Sequence, residues 1–127
     1  MSRFSLLPDV LAVVRLPADA PVPAWAVGHS AFASLTRTSD ELSIVCPEAL
    51  APPGIVAELG WRAFKLHGPL PFSAVGVLEG FASPLARAGI SIFVVSTFDT
   101  DYVLVKSEQF GRAIAALVKA GHTFVEA

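Results

Sequence analysis

The 127-residue chain has little cysteine and little charge. Its one cysteine, Cys46, cannot form a disulfide within the chain, as is usual for a protein of a reducing compartment. Charged residues make up 16% of the sequence, and nine basic against eleven acidic residues give a formal net charge of −2. The basic residues form no stripe, so the composition argues against nucleic-acid binding.

Long apolar runs are missing as well. A membrane helix needs about 20 consecutive apolar residues, and the longest uncharged stretch, 20–36, is interrupted by Pro21, Pro23 and Gly28. The first nine residues lack the apolar core and the small-residue cleavage site of a signal peptide. We therefore expect a soluble, cytoplasmic protein that does not associate with membranes.

Apolar residues, by contrast, are abundant. They make up 54% of the chain, which excludes a disordered protein. A chain of this length forms one compact domain, or two very small ones that share a core. So large an apolar fraction exceeds what a lone small domain buries, and a homodimer is the simplest way to cover the excess.

Apolar runs bounded by turn residues predict seven strands, at 10–16, 31–36, 42–46, 61–67, 90–97, 101–106 and 122–125. Periodic apolar residues predict two helices, at 74–88 and 108–120, with Ser73 and Ser107 as their N-caps. A weaker third helix is predicted at 53–59, since proline is tolerated in a first turn.

The two halves of the chain share a pattern at a spacing of sixty positions. Residues 32–45 align without a gap with residues 92–105, and both segments read as a strand, a hydroxyl, a polar corner, an acid and a second strand. This pattern predicts two copies of a β-α-β-β-α-β unit, the first with a shrunken opening helix. Two copies need eight strands, so the eighth is either shared between the copies or supplied by residues 4–7.

The polar corner at 96–101 is the most informative segment, because it concentrates hydroxyls and carboxylates between two apolar strands. Asp99 and Thr100 are favoured turn formers whose side chains bond to nearby backbone groups, so turn chemistry is one interpretation and a small-molecule site is the other. A metal site at Asp99 and Asp101 is disfavoured, since no third acid or histidine lies nearby in the sequence. The histidines at 29, 67 and 122 are scattered, and we expect them at the surface or at strand ends.

Residues 61–66, 75–78, 85–90 and 95–105 together resemble the ACT domain family. The likeness is to small bacterial proteins made of a tandem ACT pair and to the ACT repeats of the animal cytosolic arginine sensors. The resemblance covers residues 61–125 well and 10–61 loosely, and the corner that ends in Tyr102 is its most specific part.

The resemblance implies an α+β, ferredoxin-like fold made of two βαββαβ repeats, with antiparallel sheets and helices on one face. It places a degenerate ACT-like repeat at 1–60 and an ACT domain at 61–127. It also implies a regulatory, non-catalytic protein without a cofactor, which binds an amino acid or a related metabolite between two ACT units. In the first repeat Arg37 replaces the second hydroxyl of the corner and Glu41 stands where Asp101 stands, so the ligand site is expected in the second repeat.

An amino acid needs a positive feature for its carboxylate and acceptors for its ammonium group. The free amides at the start of the 74–88 helix, at Ala74, Val75 and Gly76, suit the carboxylate, and Gly76 allows a close approach. Acids of the corner suit the ammonium group, and its hydroxyls orient the ligand. The candidate ligand-binding residues are Val75, Gly76, Val77, Leu78, Ser96, Thr97, Asp99, Thr100 and Asp101.

Two other functional classes stay open at this point. The chain is an interaction module without a ligand if the corner serves only as a turn and the protein acts by dimerising or docking through its sheet edges. A small enzyme that uses an acid pair is less favoured, because an open corner between two strands does not provide the deep pocket that catalytic carboxylates need. Our leading hypothesis is the amino-acid sensor.

Overall fold

The computed structural model describes residues 2–27, 32–68 and 75–125. Within these ranges the chain forms eight β-strands, two α-helices and three short 3-10 helices. Each of the seven predicted strands overlaps one of the eight. Of the residues singled out from the sequence, Gly28, His29, Ala31, Ser73 and Ala74 lie outside the described ranges.

The chain divides into two compact units. One, here the N-terminal unit, is Asp9–Trp61, and the other, here the C-terminal unit, combines Met1–Pro8 with Arg62–Ala127. The first eight residues therefore group with the C-terminal part of the chain. The division into repeats at 1–60 and 61–127 stays a prediction.

The N-terminal unit contains an antiparallel sheet with the strand order of a ferredoxin-like repeat. Strand β2 (Leu11–Leu16) pairs with β4 (Leu42–Pro47) on one side and with the first part of β5 (Val56–Leu66) on the other. Strand β3 (Ser34–Arg37) pairs with the outer side of β4. The order β3-β4-β2-β5 places the first and third strands of the repeat next to each other, as a βαββαβ unit requires.

The helical positions of the N-terminal unit are reduced to single turns. In its described residues they are the 3-10 helices Ala24–Ala26 and Glu48–Leu50, which agrees with the expectation of a shrunken opening helix. The helix predicted at 53–59 is wrong, because the chain enters β5 at Val56. Pro52 and Pro53 lie at the start of the predicted helix. A proline there is compatible with a first helical turn, but it also disfavours helical backbone at the residue before it, so the pair does not by itself indicate a helix.

Strand β5 contains a bulge where its pairing with β2 changes register. Leu11 faces Trp61, whereas Val13 faces Glu58, so β5 has one extra residue. Gly60 lies at this point with a φ of 77°, in the left-handed region that costs a residue with a Cβ atom about 1–2 kcal/mol. The amide of Gly60 donates a 2.8 Å hydrogen bond to Glu48 Oε1, and this bond stabilises the bulge.

In the C-terminal unit the last part of β5 pairs antiparallel with β1 (Arg3–Leu6). Strand β1 pairs parallel with β8 (Thr123–Phe124), so the N-terminal strand lies between β5 and β8. Strand β7 (Asp101–Lys106) pairs with β6 (Phe93–Ser96) and with β5. Strand β1 is thus the eighth strand, in agreement with the alternative that residues 4–7 supply it.

Both helices begin later than predicted. Helix α1 (Val77–Arg87) has Gly76 as its N-cap, at a φ of 81° and with no side-chain cap, so the N-cap predicted at Ser73 is wrong. Helix α2 (Phe110–Lys119) has Gln109 as its N-cap, because Ser107–Gln109 first form a 3-10 turn. The N-cap predicted at Ser107 is therefore wrong as well. None of the described helices has the length and apolar character needed to cross a membrane.

The two helices end in the same way, at a glycine with positive φ. Gly89 has a φ of 74° and Gly121 a φ of 103°. The next amide then reaches back five residues, from Ile90 to the carbonyl of Leu85 and from His122 to that of Leu117, at 3.0 Å each. These are Schellman motifs, which satisfy carbonyl groups that the helix ends would leave unpaired.

Three phenylalanines from different elements form the centre of the core of the C-terminal unit. The ring of Phe4 on β1 lies 5.5 Å from that of Phe64 on β5 and 5.2 Å from that of Phe81 on α1, both in edge-to-face arrangement. All three side chains are fully buried. Full burial of one such ring stabilises the fold by about 1.5–3 kcal/mol, so β1 is an integral part of this unit.

Candidate ligand-binding site

The polar corner between β6 and β7 is closed by its own hydrogen bonds. The amide of Thr97 donates to the carbonyl of Thr100 at 2.8 Å, and the Thr97 hydroxyl donates to the same carbonyl at 3.1 Å. Across the last pair of the hairpin, Ser96 Oγ donates to Asp101 Oδ1 at 2.6 Å. The side chains of Ser96, Thr97 and Asp101 are therefore engaged in turn chemistry.

Thr100 joins this corner to the end of β5. Its side chain is buried, with 6% of its surface exposed, and its hydroxyl donates a 2.7 Å hydrogen bond to the carbonyl of Leu66. A buried hydroxyl with a well-formed partner is the normal state of such a group. Thr100 thus holds the corner beside the last residue of β5.

Asp99 differs from its neighbours in the corner. Its side chain is exposed, and within the described part of the chain its carboxylate accepts no hydrogen bond. It lines a small cavity of about 240 Å³ together with Lys65, Gly68 and Thr100. An exposed acidic residue and an exposed basic residue therefore border the same concave surface.

A larger cavity of about 780 Å³ lies at the start of α1, where Val75, Gly76 and Val77 form part of its wall. The left-handed conformation of Gly76 turns the chain into the helix without a side-chain cap. The amides of residues 77–79 are consequently without a hydrogen-bond partner among the described residues. Such amides, together with the helix dipole, favour an anion.

Two histidines line the same cavity. His122 is buried; its Nδ1 accepts a hydrogen bond from the amide of Ser2 at 3.1 Å, and its Nε2 lies 2.8 Å from the carbonyl of Gly80. Because a carbonyl can only accept, Nε2 carries the proton in this arrangement. His67 follows β5 directly, and its Nε2 lies 2.9 Å from Ser5 Oγ. Both histidines adjoin strand ends, as expected.

The predicted site residues divide into three groups. Val75, Gly76 and Val77 line the larger cavity, and Asp99 and Thr100 line the smaller one. Leu78 packs against the core, and neither cavity is lined by Ser96, Thr97 or Asp101. The helix begins three residues later than predicted, so the amides of its first turn, which are without a partner among the described residues, are those of residues 77–79.

Gly68 lines both cavities, which therefore adjoin each other at the segment that follows β5. Sequence reasoning missed this residue and three cationic ones, Lys65, Arg3 and Arg87. The pairing of β1 with β5 brings Arg3 to this position, since its carbonyl accepts from the amide of His67 at 2.8 Å. Nothing local in the sequence signals a contact across more than sixty residues.

The corner of the N-terminal unit has the same backbone turn but different side chains. The amide of Thr38 donates to the carbonyl of Glu41 at 2.9 Å, as Thr97 does to Thr100. Arg37 and Leu42 form the last pair of this hairpin. The two corners are thus related by 59 positions, and the alignment at sixty, which placed Glu41 opposite Asp101, is wrong by one residue.

At the correct spacing, Arg37 and Leu42 replace the hydrogen-bonded pair of serine and aspartate. The Arg37 guanidinium instead donates to the carbonyls of Ala18 and Ala20, the latter at 2.7 Å. Asp40 becomes the counterpart of Asp99. This corner therefore offers a matched position for control variants.

The described part of the chain contains neither a metal-binding cluster nor a reactive cysteine. No group of three or more histidine, cysteine, aspartate or glutamate side chains lies close enough there to hold a metal ion. Cys46 is buried, and burial raises the pKa of its thiol. A buried, protonated thiol is a poor nucleophile.

This architecture is that of a ferredoxin-like α+β fold. The model of the ACT domain family matches residues 56–119, and a second family model, described as an N-terminal domain, matches residues 9–53. The chain belongs to the ACT domain family, as its resemblance to that family implied.

Solved structures are similar to this chain in fold. A protein from Agobacterium tumefaciens is 40% identical, with a TM-score of 0.92 over 99% of this chain and 93% of that one. The regulatory subunit of aspartate kinase from Thermus thermophilus is 14% identical, with a TM-score of 0.65 over 95% of this chain and 97% of that one. The second likeness shows the fold alone and confirms the predicted α+β class.

Among curated proteins, the cytosolic arginine sensor for mTORC1 subunit 1 of Homo sapiens is 40% identical over 58 residues. These residues are 45% of this chain and 18% of the sensor. The chain thus spans less than a fifth of the length of the curated relatives it matches.

Proposed function

We propose that this protein is a non-catalytic, cytoplasmic sensor that binds an amino acid in its C-terminal unit. The main support for the proposal is that the carboxylate of Asp99 is exposed and unbonded among the described residues. The other polar side chains of its corner are bonded within the fold, whereas the Asp99 carboxylate is exposed and without a hydrogen-bond partner among the described residues. An unbonded acid beside a cavity suits a ligand with an ammonium group.

The neighbouring cavity supplies what the rest of an amino acid needs. The uncapped amides at the start of α1 suit the α-carboxylate, while Asp99 accepts from the ammonium group. A charge-assisted hydrogen bond contributes about 1.5–3 kcal/mol. Micromolar binding corresponds to only about −8 kcal/mol, so a few such bonds suffice.

We also propose a homodimer in which a second copy covers this surface. Val75, at the edge of the larger cavity, is 94% exposed, and Phe98, next to Asp99, is 79% exposed. Large apolar side chains exposed to this extent are favourable contact points for another chain. A partner over the site would also exclude water from the ligand.

The test is a thermal-shift screen of the twenty amino acids, followed by titration calorimetry on the Asp99→Asn variant. We expect at least one amino acid to raise the melting temperature of the wild type, and Asp99→Asn to remove the effect. Asp40→Asn, at the matched position of the other corner, should preserve it.

The second candidate is an interaction module without a ligand, which the turn bonding of Ser96, Thr97 and Asp101 favours. Absence of stabilisation by any of the twenty amino acids would support this module and contradict the sensor. If one of the amino acids does raise the melting temperature, light scattering with and without that amino acid tests the homodimer.

A further inference from the structure

Cationic residues outnumber anionic ones by three to two around the two adjoining cavities, although the chain as a whole is acidic. Arg3, Arg87 and Lys65 line these cavities, against the two carboxylates Glu79 and Asp99. The formal net charge of the whole chain is −2. The local excess of positive charge is therefore a property of this surface and does not follow from the composition.

From this charge pattern we infer that the ligand is an amino acid with an anionic side chain. The inference rests on the proposed function and adds the class of the ligand. An acidic amino acid carries one ammonium group and two carboxylates, and this matches a surface where cations outnumber acids and a helix start adds positive potential. A neutral amino acid would leave one cation unmatched, and a basic one would place like charges together.

The backbone of Arg3 and the guanidinium of Arg87 are each held by a hydrogen bond. The backbone of Arg3 is fixed within β1, where its carbonyl accepts from the amide of His67 at 2.8 Å. The guanidinium of Arg87 donates to Ser83 Oγ, four residues earlier on α1, at 2.6 Å. This bond uses one of the donors of Arg87 and leaves others for a carboxylate, which a guanidinium binds in a bidentate manner.

Arg3 and Arg87 are therefore assigned to the side-chain carboxylate of the ligand, and Asp99 to its ammonium group. His122 takes no part in binding, since one of its ring nitrogens accepts from Ser2 and the other donates to Gly80. Because both arginines are exposed, added salt should weaken the preference for acids.

Titration calorimetry compares L-aspartate and L-glutamate with their neutral isosteres L-asparagine and L-glutamine, and with L-arginine. We expect one of the acids to bind about tenfold or more tightly than its amide, since one charge-assisted interaction is worth at least that factor. Arg3→Gln and Arg87→Gln should each reduce this ratio toward one. Arg15→Gln, on an exposed position of β2 in the other unit, should leave it unchanged.

The outcomes separate this inference from the proposed function. Equal binding of acid and amide, or a ratio that survives both arginine variants, would overturn the inference. If neutral or basic amino acids bind in an Asp99-dependent manner and the acids do not, the sensor stands and the ligand class is wrong. If none of the amino acids binds, both are wrong.

Discussion

The hydroxyl of Thr100 donates a 2.7 Å hydrogen bond to the carbonyl of Leu66, and this buried bond joins the corner between β6 and β7 to the end of β5. It sets the position from which Asp99 faces Lys65 and Gly68. The bond therefore stabilises the fold and also positions Asp99, the acid of the candidate site.

Replacing Thr100 by valine should destabilise the C-terminal unit. The valine keeps the shape but removes the donor to Leu66, at an expected cost of about 1–3 kcal/mol in the free energy of unfolding. Urea denaturation measures this cost. Thr97→Val, at an exposed position of the same corner, is the control and should cost less; equal losses would contradict the role given to Thr100.

Replacing Gly76 or Gly89 by alanine should lower stability equally, but only the change at Gly76 should weaken ligand binding. Gly76 and Gly89 both have positive φ, and a Cβ atom at either position would meet nothing within 4 Å. Each alanine should therefore lower the free energy of unfolding by about 1–2 kcal/mol, through backbone strain alone. Gly76→Ala should also weaken ligand binding, because it disturbs the start of α1, whereas Gly89→Ala should not. Similar affinities in a calorimetric titration of both variants would refute the assignment of the helix start to the site.

Replacing Phe4 by alanine should unfold or severely weaken the C-terminal unit. The ring is fully buried against Phe64 and Phe81, and truncation of a buried phenylalanine costs about 3–5 kcal/mol. Thermal and urea melts measure the effect. Val75→Ala removes an apolar side chain that is 94% exposed and should change stability little. A mild effect of Phe4→Ala would mean that β1 is dispensable.

Replacing Glu48 by alanine should weaken the bulge in β5. The variant removes the acceptor for the amide of Gly60, a bond worth about 1.5–3 kcal/mol when a charged group takes part. Glu48→Gln retains an oxygen acceptor and should recover most of the loss. If alanine and glutamine are equally destabilising in urea melts, the bond between Glu48 and Gly60 does not support the bulge.

Much of the fold follows from local sequence patterns. Apolar runs predict seven strands, each of which overlaps an observed strand, and periodic apolar residues predict both helices, in which Phe81, Leu85 and Leu117 are buried. The helix starts were wrong for a physical reason. A serine is the usual N-cap, but here Gly76 turns the chain into α1, and a 3-10 turn precedes α2.

The candidate site was less accessible to sequence reasoning. The corner and the start of α1 were found because each is a contiguous segment with a clear composition. The sequence does not indicate that Arg3 and His122 line the same cavity. The two ends of the chain are brought together by long-range contacts, such as the bond between Ser2 and His122, which spans 120 positions of the chain. The shift of one residue between the two corners became visible only through the backbone bonds of Thr38 and Thr97.

A calorimetric titration of the best amino acid of the thermal-shift screen into wild type, Asp99→Asn and Asp40→Asn tests most directly whether Asp99 holds a ligand. The exposed Asp99 carboxylate has no bond to lose among the described residues, so Asp99→Asn should fold normally and yet bind about tenfold or more weakly, while Asp40→Asn binds as the wild type does. Equal affinity of Asp99→Asn and wild type would show that this acid does not hold the ligand.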